Sequence, residues 1–227
     1  MSNLVIHQFS LGTWDNFLYF IGDKNTREVF VVDPAWGSDK IVAEAEKNNF
    51  IIKGALCTHS HADHVNSVHS LLKTHDIPVY MLDKEVEFTT WRCENLNKIK
   101  AGQILKVGNV EITTMHTPGH TPGSSCYHVE DRIVTGDTLF VNGCGRCDFV
   151  GGSPEVMYET LKGLTRNLAP NTIVYPGHNY GKTVTSTIAD EKNGNPFMQF
   201  DTLDGFINHR MAGKTRNTPA LIPKEES

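Results

Sequence analysis

Alternating apolar and polar residues predict a series of short strands in the first third of the chain. Residues 3–10 and 16–21 have strand periodicity, and a polar turn over residues 22–26 leads into the apolar residues 28–32. Two apolar runs joined by a short polar turn are typical of a β-hairpin. A helix is then expected over residues 39–48, where apolar positions recur at helical spacing.

The next part of the chain alternates between strands and helices. A strand over residues 51–57, a helix that reaches Leu72 and a strand over residues 77–81 predict a strand–helix–strand unit. A further helix is expected over residues 84–95. The apolar runs on either side of Gly108-Asn109 are predicted to pair as strands, because this dipeptide suits a tight turn.

A second set of strands follows, with one long helix among them. Residues 125–129, 132–134 and 172–175 have strand character. Ser153-Pro154 is a typical helix start, with a capping side chain followed by proline in the first turn. The apolar residues after it recur every three or four positions, which indicates a helix packed on a core.

Two runs of strands, each with helices, predict the α/β class. Two mixed sheets packed face to face with helices outside, an αββα sandwich, would bury all the apolar stripes. The chain of 227 residues, 39% of them hydrophobic, is long enough to bury a sizeable core. No low-complexity linker interrupts it, so we expect one catalytic domain over residues 1–213 and a polar C-terminal tail over residues 214–227.

Charge and cysteine content restrict the location and the partners. A formal net charge of -5 and a pI near 6.1 argue against a protein that mainly holds nucleic acid or an anionic membrane surface. No 18-residue apolar run and no export signal are evident, so a cytoplasmic protein is expected. The five cysteines are then expected to be reduced thiols, including the Cys144/Cys147 pair, whose spacing also suits a redox pair or half of a zinc site.

The densest group of chemically active residues follows the strand over residues 51–57. His59, His61, Asp63 and His64 occupy six consecutive positions. In an extended loop residues two apart project to the same side, so His59, His61 and Asp63 are expected to converge while His64 points to a neighbouring position. Imidazoles and carboxylates are ligands of zinc, iron or manganese, and this run has enough donors for two metals. Isolated surface histidines would not explain four such groups.

Three glycine-containing turns each present one more ligand residue after an apolar strand. Their ligand residues are His120 in Thr117–His120, Asp137 in Thr135–Thr138 and His178 in Tyr175–His178. Glycine lets the backbone turn tightly and bring a side chain inwards. Each segment alone is also typical of an ordinary turn, but together with the histidine run they indicate a metal centre.

This ordered set of motifs resembles the metallo-β-lactamase superfamily, whose αββα sandwich binds one or two metals. The resemblance implies that His59, His61 and His120 hold one metal and that Asp63, His64 and His178 hold the other. It also implies that Asp137 bridges the two metals and that a bridging hydroxide is the nucleophile. Asp63 and Asp137 would be the catalytic carboxylates, and two zinc ions are expected, with iron or manganese as alternatives.

The chemistry of such a site suits thioester hydrolysis. Two divalent cations and two carboxylates leave a positive site that lowers the pKa of bound water towards ~7. A thiolate leaving group, whose conjugate acid has a pKa of ~8.5, departs without a strong general acid. The predicted activity is therefore hydrolysis of an acyl thioester carried by glutathione, coenzyme A or a carrier protein.

Within the superfamily, the segments Gly136–Phe140, Gly143–Arg146 and Gly177–Tyr180 resemble the glyoxalase II type. This resemblance implies that Arg146 and Tyr180 contact a glutathione moiety, and Lys182 is a nearby basic candidate for substrate binding. A surface ion pair is the alternative role of Arg146. Asp148 stands where that family has an aromatic residue, and the long C-terminal region of glyoxalase II is missing.

Three other interpretations stay open. Persulfide dioxygenases share Gly145-Arg146 and use one iron at the positions of His59, His120 and Asp137, but usually have alanine at the position of Gly177. Polyketide-associated zinc hydrolases resemble the chain at Trp14-Asp15-Asn16, which points to carrier-linked substrates. A non-catalytic metal-binding module is the third interpretation, and the complete ligand set argues against it. The sequence leaves the oligomeric state open.

Overall fold

The computed structural model describes residues 2–220, which divide into two units. Unit 1 comprises the residues up to 114, and unit 2 comprises residues 115–220. The expected boundary at residue 213 stays a prediction, and the last seven residues of the expected tail, 221–227, lie outside the described residues.

Unit 1 contains a six-stranded mixed sheet with helices in its connections. The strands are β1 (Leu4–Leu11), β2 (Asn16–Asp23), β3 (Glu28–Val32), β4 (Ile51–Cys57), β5 (Val79–Leu82) and β6 (Leu96–Ile99). The helices are α1 (Ser38–Lys47), α2 (Ala62–Val65), α3 (Val68–Leu72) and α4 (Asp83–Phe88). The strands lie in sequence order, antiparallel from β1 to β3 and parallel from β3 to β6.

The core of unit 1 gathers on the sheet face that packs against its helices. Leu18 and Phe20 of β2 and Val29 and Val31 of β3 are fully buried there and share one cluster with Ile41 of α1. All eight residues of β2 are buried, so this strand is covered on both faces. A central strand with both faces covered reads as a continuous apolar run, which is the pattern in Phe17–Ile21.

A second six-stranded mixed sheet begins at the end of unit 1. Its strands are β7 (Ile104–Val107), β8 (Val110–His116), β9 (Ser125–Val129), β10 (Arg132–Gly136), β13 (Ile173–Pro176) and β14 (Ser186–Thr187). Their order is β14-β13-β10-β9-β8-β7, and β10 and β13 are parallel. The unit boundary lies within β8.

Unit 2 adds a small ribbon and three helices to its strands. They are β11 (Leu139–Phe140), β12 (Gly143–Cys144), α5 (Pro154–Asn167), α6 (Ile188–Gly194) and α7 (Leu203–Arg210). Ser153 caps α5 as predicted, since its hydroxyl accepts a hydrogen bond from the Val156 amide. Met157 and Leu161 of α5 pack in one core cluster with Phe206 of α7.

The expected α/β class with two mixed sheets is confirmed, but several elements differ from prediction. The helix expected over residues 84–95 ends at Phe88, and the next strand, β6, was not predicted. Its sequence, Leu-Asn-Lys-Ile, has too few apolar residues to show periodicity. The helix expected to reach Leu72 is two short helices, α2 and α3. Helices α6 and α7 were also not predicted.

Two further features concern the helices and the cysteines. No helix within residues 2–220 has the length and apolar character needed to cross a bilayer. All five cysteines are free thiols. Burial raises the pKa of the Cys147 thiol to about 11, which keeps it protonated at neutral pH.

Candidate metal-binding residues

The four predicted ligands of unit 1 lie at the carboxyl end of β4. His59 and His64 are 1% exposed, Asp63 is buried and His61 is partly exposed. Nε2 of His59 is 3.1 Å from Nδ1 of His61, so these two side chains converge as predicted. Asp63 lies beside His64 instead, with its Oδ2 3.4 Å from Nε2 of that ring. The reason is that α2 begins at Ala62, which ends the extended alternation on which the expectation depended.

Asp33 orients two of these histidines. Its Oδ2 is 2.9 Å from Nδ1 of His64 and accepts the Thr58 hydroxyl proton at 2.7 Å. Because that hydroxyl proton is donated to Asp33, the 3.1 Å contact between Thr58 Oγ1 and Nδ1 of His59 makes Nδ1 the donor. The neutral rings of His59 and His64 therefore carry their lone pair on Nε2, the arrangement of metal-ligating histidines. In the sequence Asp33 precedes Pro34 at a strand end, where a turn-forming aspartate is at least as expected as a buried carboxylate that orients metal ligands.

Glu85 supports the same loop and was not found from the sequence. This carboxylate of α4 is 0% exposed, and its Oε1 accepts hydrogen bonds from the amide and the hydroxyl of Ser60, at 2.9 and 2.6 Å. Ser60 lies between His59 and His61, so Glu85 fixes the backbone that carries both. In the sequence Glu85 looks like any helical surface charge, and only the fold brings it to the loop.

The three predicted ligands of unit 2 lie around Asp137. Oδ2 of Asp137 is 3.5 Å from Nε2 of His120, and Oδ1 is 3.3 Å from Nε2 of His178. Each carboxylate oxygen thus faces a different imidazole, which is the arrangement expected of a bridging carboxylate. Nδ1 of His120 donates to the backbone carbonyl of Arg146 at 2.7 Å, and this bond again leaves the lone pair on Nε2.

Glycines make this close packing in unit 2 sterically feasible. A Cβ on Gly177 would be 2.7 Å from Oδ1 of Asp137, and one on Gly145 would be 1.9 Å from the Asp137 carbonyl oxygen. Gly119, immediately before His120, has φ 134° and would place a Cβ 2.6 Å from Cα of Met157. At these three positions no other residue fits without a backbone shift.

The donor sets fit divalent cations. Four pairs of potential ligand atoms within the units are separated by 3.1–3.5 Å. Two ligand atoms at about 2.0–2.1 Å from a tetrahedral ion are about 3.3 Å apart. All seven predicted ligands belong to histidine and aspartate groups that could hold a metal ion. The chain therefore carries the donors for divalent metal binding.

The three predicted substrate-binding residues have different surroundings. Arg146 forms a forked ion pair with Asp148, at 3.1 Å from Nε and 2.5 Å from one terminal nitrogen, and its guanidinium stacks on Phe149 at 4.1 Å. Burial alone would raise the pKa of Asp148, but the Arg146 guanidinium outweighs it and holds that pKa below its usual value. Tyr180 is 59% exposed and stacks parallel on His178 at 4.7 Å. Lys182 is exposed.

The chain has two mixed sheets, and its histidine and aspartate donors follow the ends of strands. These features place it in the class of metal-binding α/β proteins. More particularly, the chain belongs to the metallo-β-lactamase superfamily, whose family model matches residues 11–178. The resemblance seen in the sequence is thereby confirmed.

Named relatives agree with this family. The chain is 38% identical to the probable polyketide biosynthesis zinc-dependent hydrolase PksB of Bacillus subtilis, covering 87% of this chain and 88% of PksB. It is 35% identical to the cytoplasmic hydroxyacylglutathione hydrolase of Arabidopsis thaliana, covering 82% and 85%. The crystal structure of ETHE1 from Myxococcus xanthus is similar with a TM-score of 0.83 and 29% identity, covering 92% and 90%. Both relatives named from sequence are hydrolases, which supports an enzyme.

Proposed function

We propose that the protein hydrolyses acyl thioesters with two divalent metal ions, zinc being the first choice and iron or manganese alternatives. The observation that carries the proposal is the set of seven donors in which the ring nitrogens of His59, His64 and His120 are oriented by Thr58, Asp33 and a backbone carbonyl. Such outer partners are typical of catalytic metal sites. The name of the PksB relative, a zinc-dependent hydrolase, supports the choice of metal.

Each ligand has a proposed role. His59, His61 and His120 would hold one ion, Asp63, His64 and His178 the other, and Asp137 both. When bound, divalent cations lower the pKa of a coordinated water towards ~7 and polarise a carbonyl oxygen. Asp63 and Asp137 contribute two negative charges, so the centre keeps a positive charge that attracts an anionic substrate. A thiolate leaves without a protonated side chain, because its conjugate acid has a pKa of ~8.5.

The carrier of the acyl group is the finer part of the proposal. Arg146 is a candidate for binding an anionic carrier, but its guanidinium fork already contacts Asp148. This engagement weakens the case for a glutathione carboxylate as the partner of Arg146. Together with the likeness to PksB, it favours a coenzyme A or carrier-protein thioester. Tyr180, exposed beside His178, and Lys182 are the remaining candidates for substrate contact.

The test combines metal analysis with a substrate comparison. The purified chain is analysed for metals by elemental mass spectrometry and assayed with S-lactoylglutathione, an acyl-coenzyme A and an acyl-pantetheine. We expect about two metals per chain and turnover of at least one thioester. Asp137→Asn and His178→Ala should each lower turnover by more than 100-fold and reduce bound metal. Turnover that persists in both variants with unchanged metal content would refute the two-metal proposal.

A mononuclear-iron persulfide dioxygenase is the second candidate, and the structural likeness to ETHE1 keeps it open. Gly177 argues for the hydrolase, because the alanine usual in those dioxygenases would place its Cβ 2.7 Å from Oδ1 of Asp137. One iron per chain, oxygen consumption with glutathione persulfide and no thioester hydrolysis would establish the dioxygenase instead.

A cytoplasmic location and a small-molecule or carrier-linked thioester as the partner belong to the same proposal. The location is supported by the Arabidopsis relative, which is named as cytoplasmic. Neither nucleic acid nor a membrane is proposed as a partner, in keeping with the net charge of -5.

A further inference from the structure

We propose that Asn16, with its amide fixed by Trp36, is a positioning residue for the ligand Asp63. This inference rests on the proposed metal centre. Asn16 is the first residue of β2 and is 2% exposed. Its Nδ2 donates to the backbone oxygen of Asp63 at 3.0 Å and to Oδ2 of the same residue at 3.2 Å. One amide group therefore holds both the backbone and the side chain of Asp63.

Trp36 determines which way the Asn16 amide faces. The indole Nε1 of Trp36 donates to Oδ1 of Asn16 at 2.8 Å. An indole nitrogen can only donate, so the oxygen of the amide must face Trp36 and its NH₂ group must face Asp63. Both N–H groups then meet oxygen atoms that can only accept, when the Asp63 carboxylate is ionised. The hydrogen-bond chain from Trp36 through Asn16 to Asp63 thus has one direction only.

Trp36 is itself held tightly in place. Its backbone has φ 65°, a strained left-handed conformation that is uncommon for a bulky residue. The Trp36 amide donates to Oδ1 of Asn66 at 2.9 Å. Gly12 passes so close to the indole ring that a Cβ would lie 2.2 Å from Cδ2, and the Trp14 ring packs at 5.8 Å. The strained backbone is stabilised by these contacts, and the result is a fixed indole N–H.

The geometry at Asp63 explains why the hydrogen-bond chain from Trp36 through Asn16 matters. Oδ2 of Asp63 lies 3.4 Å from Nε2 of His64, close to the roughly 3.3 Å expected for two ligands of one tetrahedral ion. Because Asn16 binds this oxygen and the Asp63 backbone together, the carboxylate is held in one orientation relative to the backbone of its own residue. Asp63 belongs to the four-residue helix α2, whose own hydrogen bonds cannot fix this side chain.

The inference predicts a selective effect on metal binding. Loss of the Asn16 amide should weaken the ion held by Asp63 and His64, whereas the ion assigned to His59 and His61 should be retained. Removal of such an outer partner typically costs 10–100-fold in metal affinity. A variant in which Asn16 is replaced should therefore retain about one tightly bound metal per chain.

The experiment compares three variants of the full chain with the unaltered protein. Asn16→Ala removes the amide, and Trp36→Phe keeps an aromatic ring but removes the N–H that fixes the amide. Asn109→Ala is the matched control, because Asn109 makes the same kind of bond, 2.8 Å from Nδ2 to Oδ2 of Asp23, away from the predicted ligands. Zinc affinity is measured by competition with a chromophoric chelator, and unfolding of the metal-free protein is followed by circular dichroism.

We expect Asn16→Ala and Trp36→Phe to bind one of the two zinc ions 10–100-fold more weakly. In both variants kcat should fall, and KM should change by a smaller factor. Asn109→Ala should bind both zinc ions normally. Equal affinities in all four proteins, with two zinc ions and thioester turnover in the unaltered chain, would overturn the positioning role and leave the proposed function intact. Absence of metal and turnover in the unaltered chain would overturn both.

Discussion

In unit 1, four proposed ligands come from six consecutive residues, and other side chains orient three of them. In unit 2, three come from separate turns, and the contacts around His120 and Asp137 come from the backbone. His64 is oriented by the Asp33 carboxylate and Asp63 by the Asn16 amide. His120 is oriented by a carbonyl oxygen, and Asp137 lies against Gly145 and Gly177.

This difference indicates which substitutions each unit tolerates. A side-chain partner can be removed or altered without changing the course of the backbone, so its loss should affect metal binding more than folding. A glycine that allows a close approach cannot be replaced without moving the backbone. Function in unit 1 should therefore be impaired by substitutions that remove a polar atom. Function in unit 2 should be impaired by substitutions that add a methyl group to a glycine.

Among the residues that surround the ligands, the largest effect is expected at Asp33. Asp33→Asn keeps the shape, and asparagine tolerates the φ of 52° found there, but the change removes an acceptor for His64 or Thr58. We expect a 10–100-fold loss of zinc affinity, measured by chelator competition, with a folded circular dichroism spectrum. Asp39→Asn, at an exposed position of α1, is the control. Unchanged affinity in Asp33→Asn would mean that unit 1 does not depend on side-chain orientation.

The next effect concerns unit 2. Gly177→Ala adds one methyl 2.7 Å from Oδ1 of Asp137, so the carboxylate or the turn must shift. A misplacement of this size should lower kcat by about 10–100-fold, measured with whichever thioester is turned over. Gly163→Ala, in α5 with nothing within 4 Å of the added methyl, should leave kcat unchanged. If the two variants behaved alike, close packing at Asp137 would be irrelevant to catalysis.

A smaller effect should show whether side chains also matter in unit 2. Asp148→Asn breaks the ion pair with Arg146 and should lower the free energy of unfolding by about 1–2 kcal/mol at pH 7. Because the folded pKa of Asp148 is lowered, this stability is present above the unfolded pKa near 3.9 and is lost as the pH falls through the folded pKa. The Tm difference from the unaltered chain should therefore begin to shrink only below about pH 4 and decrease further as Asp148 becomes protonated in the folded chain. A Tm difference that does not shrink at all as the pH falls from about 4 would assign the effect to packing. Asp131→Asn, at an exposed ion pair, is the control.

The smallest effect is expected for Glu85→Gln. Glu85→Gln keeps an oxygen that can accept both bonds from Ser60, so we expect a loss of unfolding free energy of about 0.5–1 kcal/mol, from the weaker acceptor. Glu85→Ala leaves the part-buried Ser60 amide without this acceptor and should cost more, about 1–3 kcal/mol. Denaturant unfolding measures both. Glu87→Gln, at an exposed position of the same helix, is the control and should leave the free energy of unfolding unchanged. If Glu85→Ala were as stable as the Glu87→Gln variant, Glu85 would not support the loop.

The two units also differ in how far the sequence predicts them. The run from His59 to His64 is local, so residue types and spacing alone indicate a metal. The ligands of unit 2 are 17 and 41 positions apart, and glycine turns after strands were the one signal that connected them. The α/β class follows from alternating strands and helices, whereas β6 and α7 lack clear periodicity and emerge only through packing.

Residues that orient the ligands were the least predictable. Asp33, Glu85 and Asn16 lie 31, 25 and 47 positions from the residues they contact. Each is an ordinary polar residue in its local sequence. Their roles depend on sheet register and on burial, which a single sequence does not encode in any short pattern.

The close approach of Gly119 to α5 gives His120 a mechanical connection to that helix. The Gly119 carbonyl accepts from the Ser153 amide at 2.9 Å, the Pro118 carbonyl accepts from the Thr160 hydroxyl at 2.7 Å, and Gly119 touches the backbone of Met157. The turn that carries His120 therefore cannot move unless the first two turns of α5 move with it. The rate of amide hydrogen exchange in the first two turns of α5 should therefore report how rigidly His120 is held, with faster exchange indicating a more mobile His120.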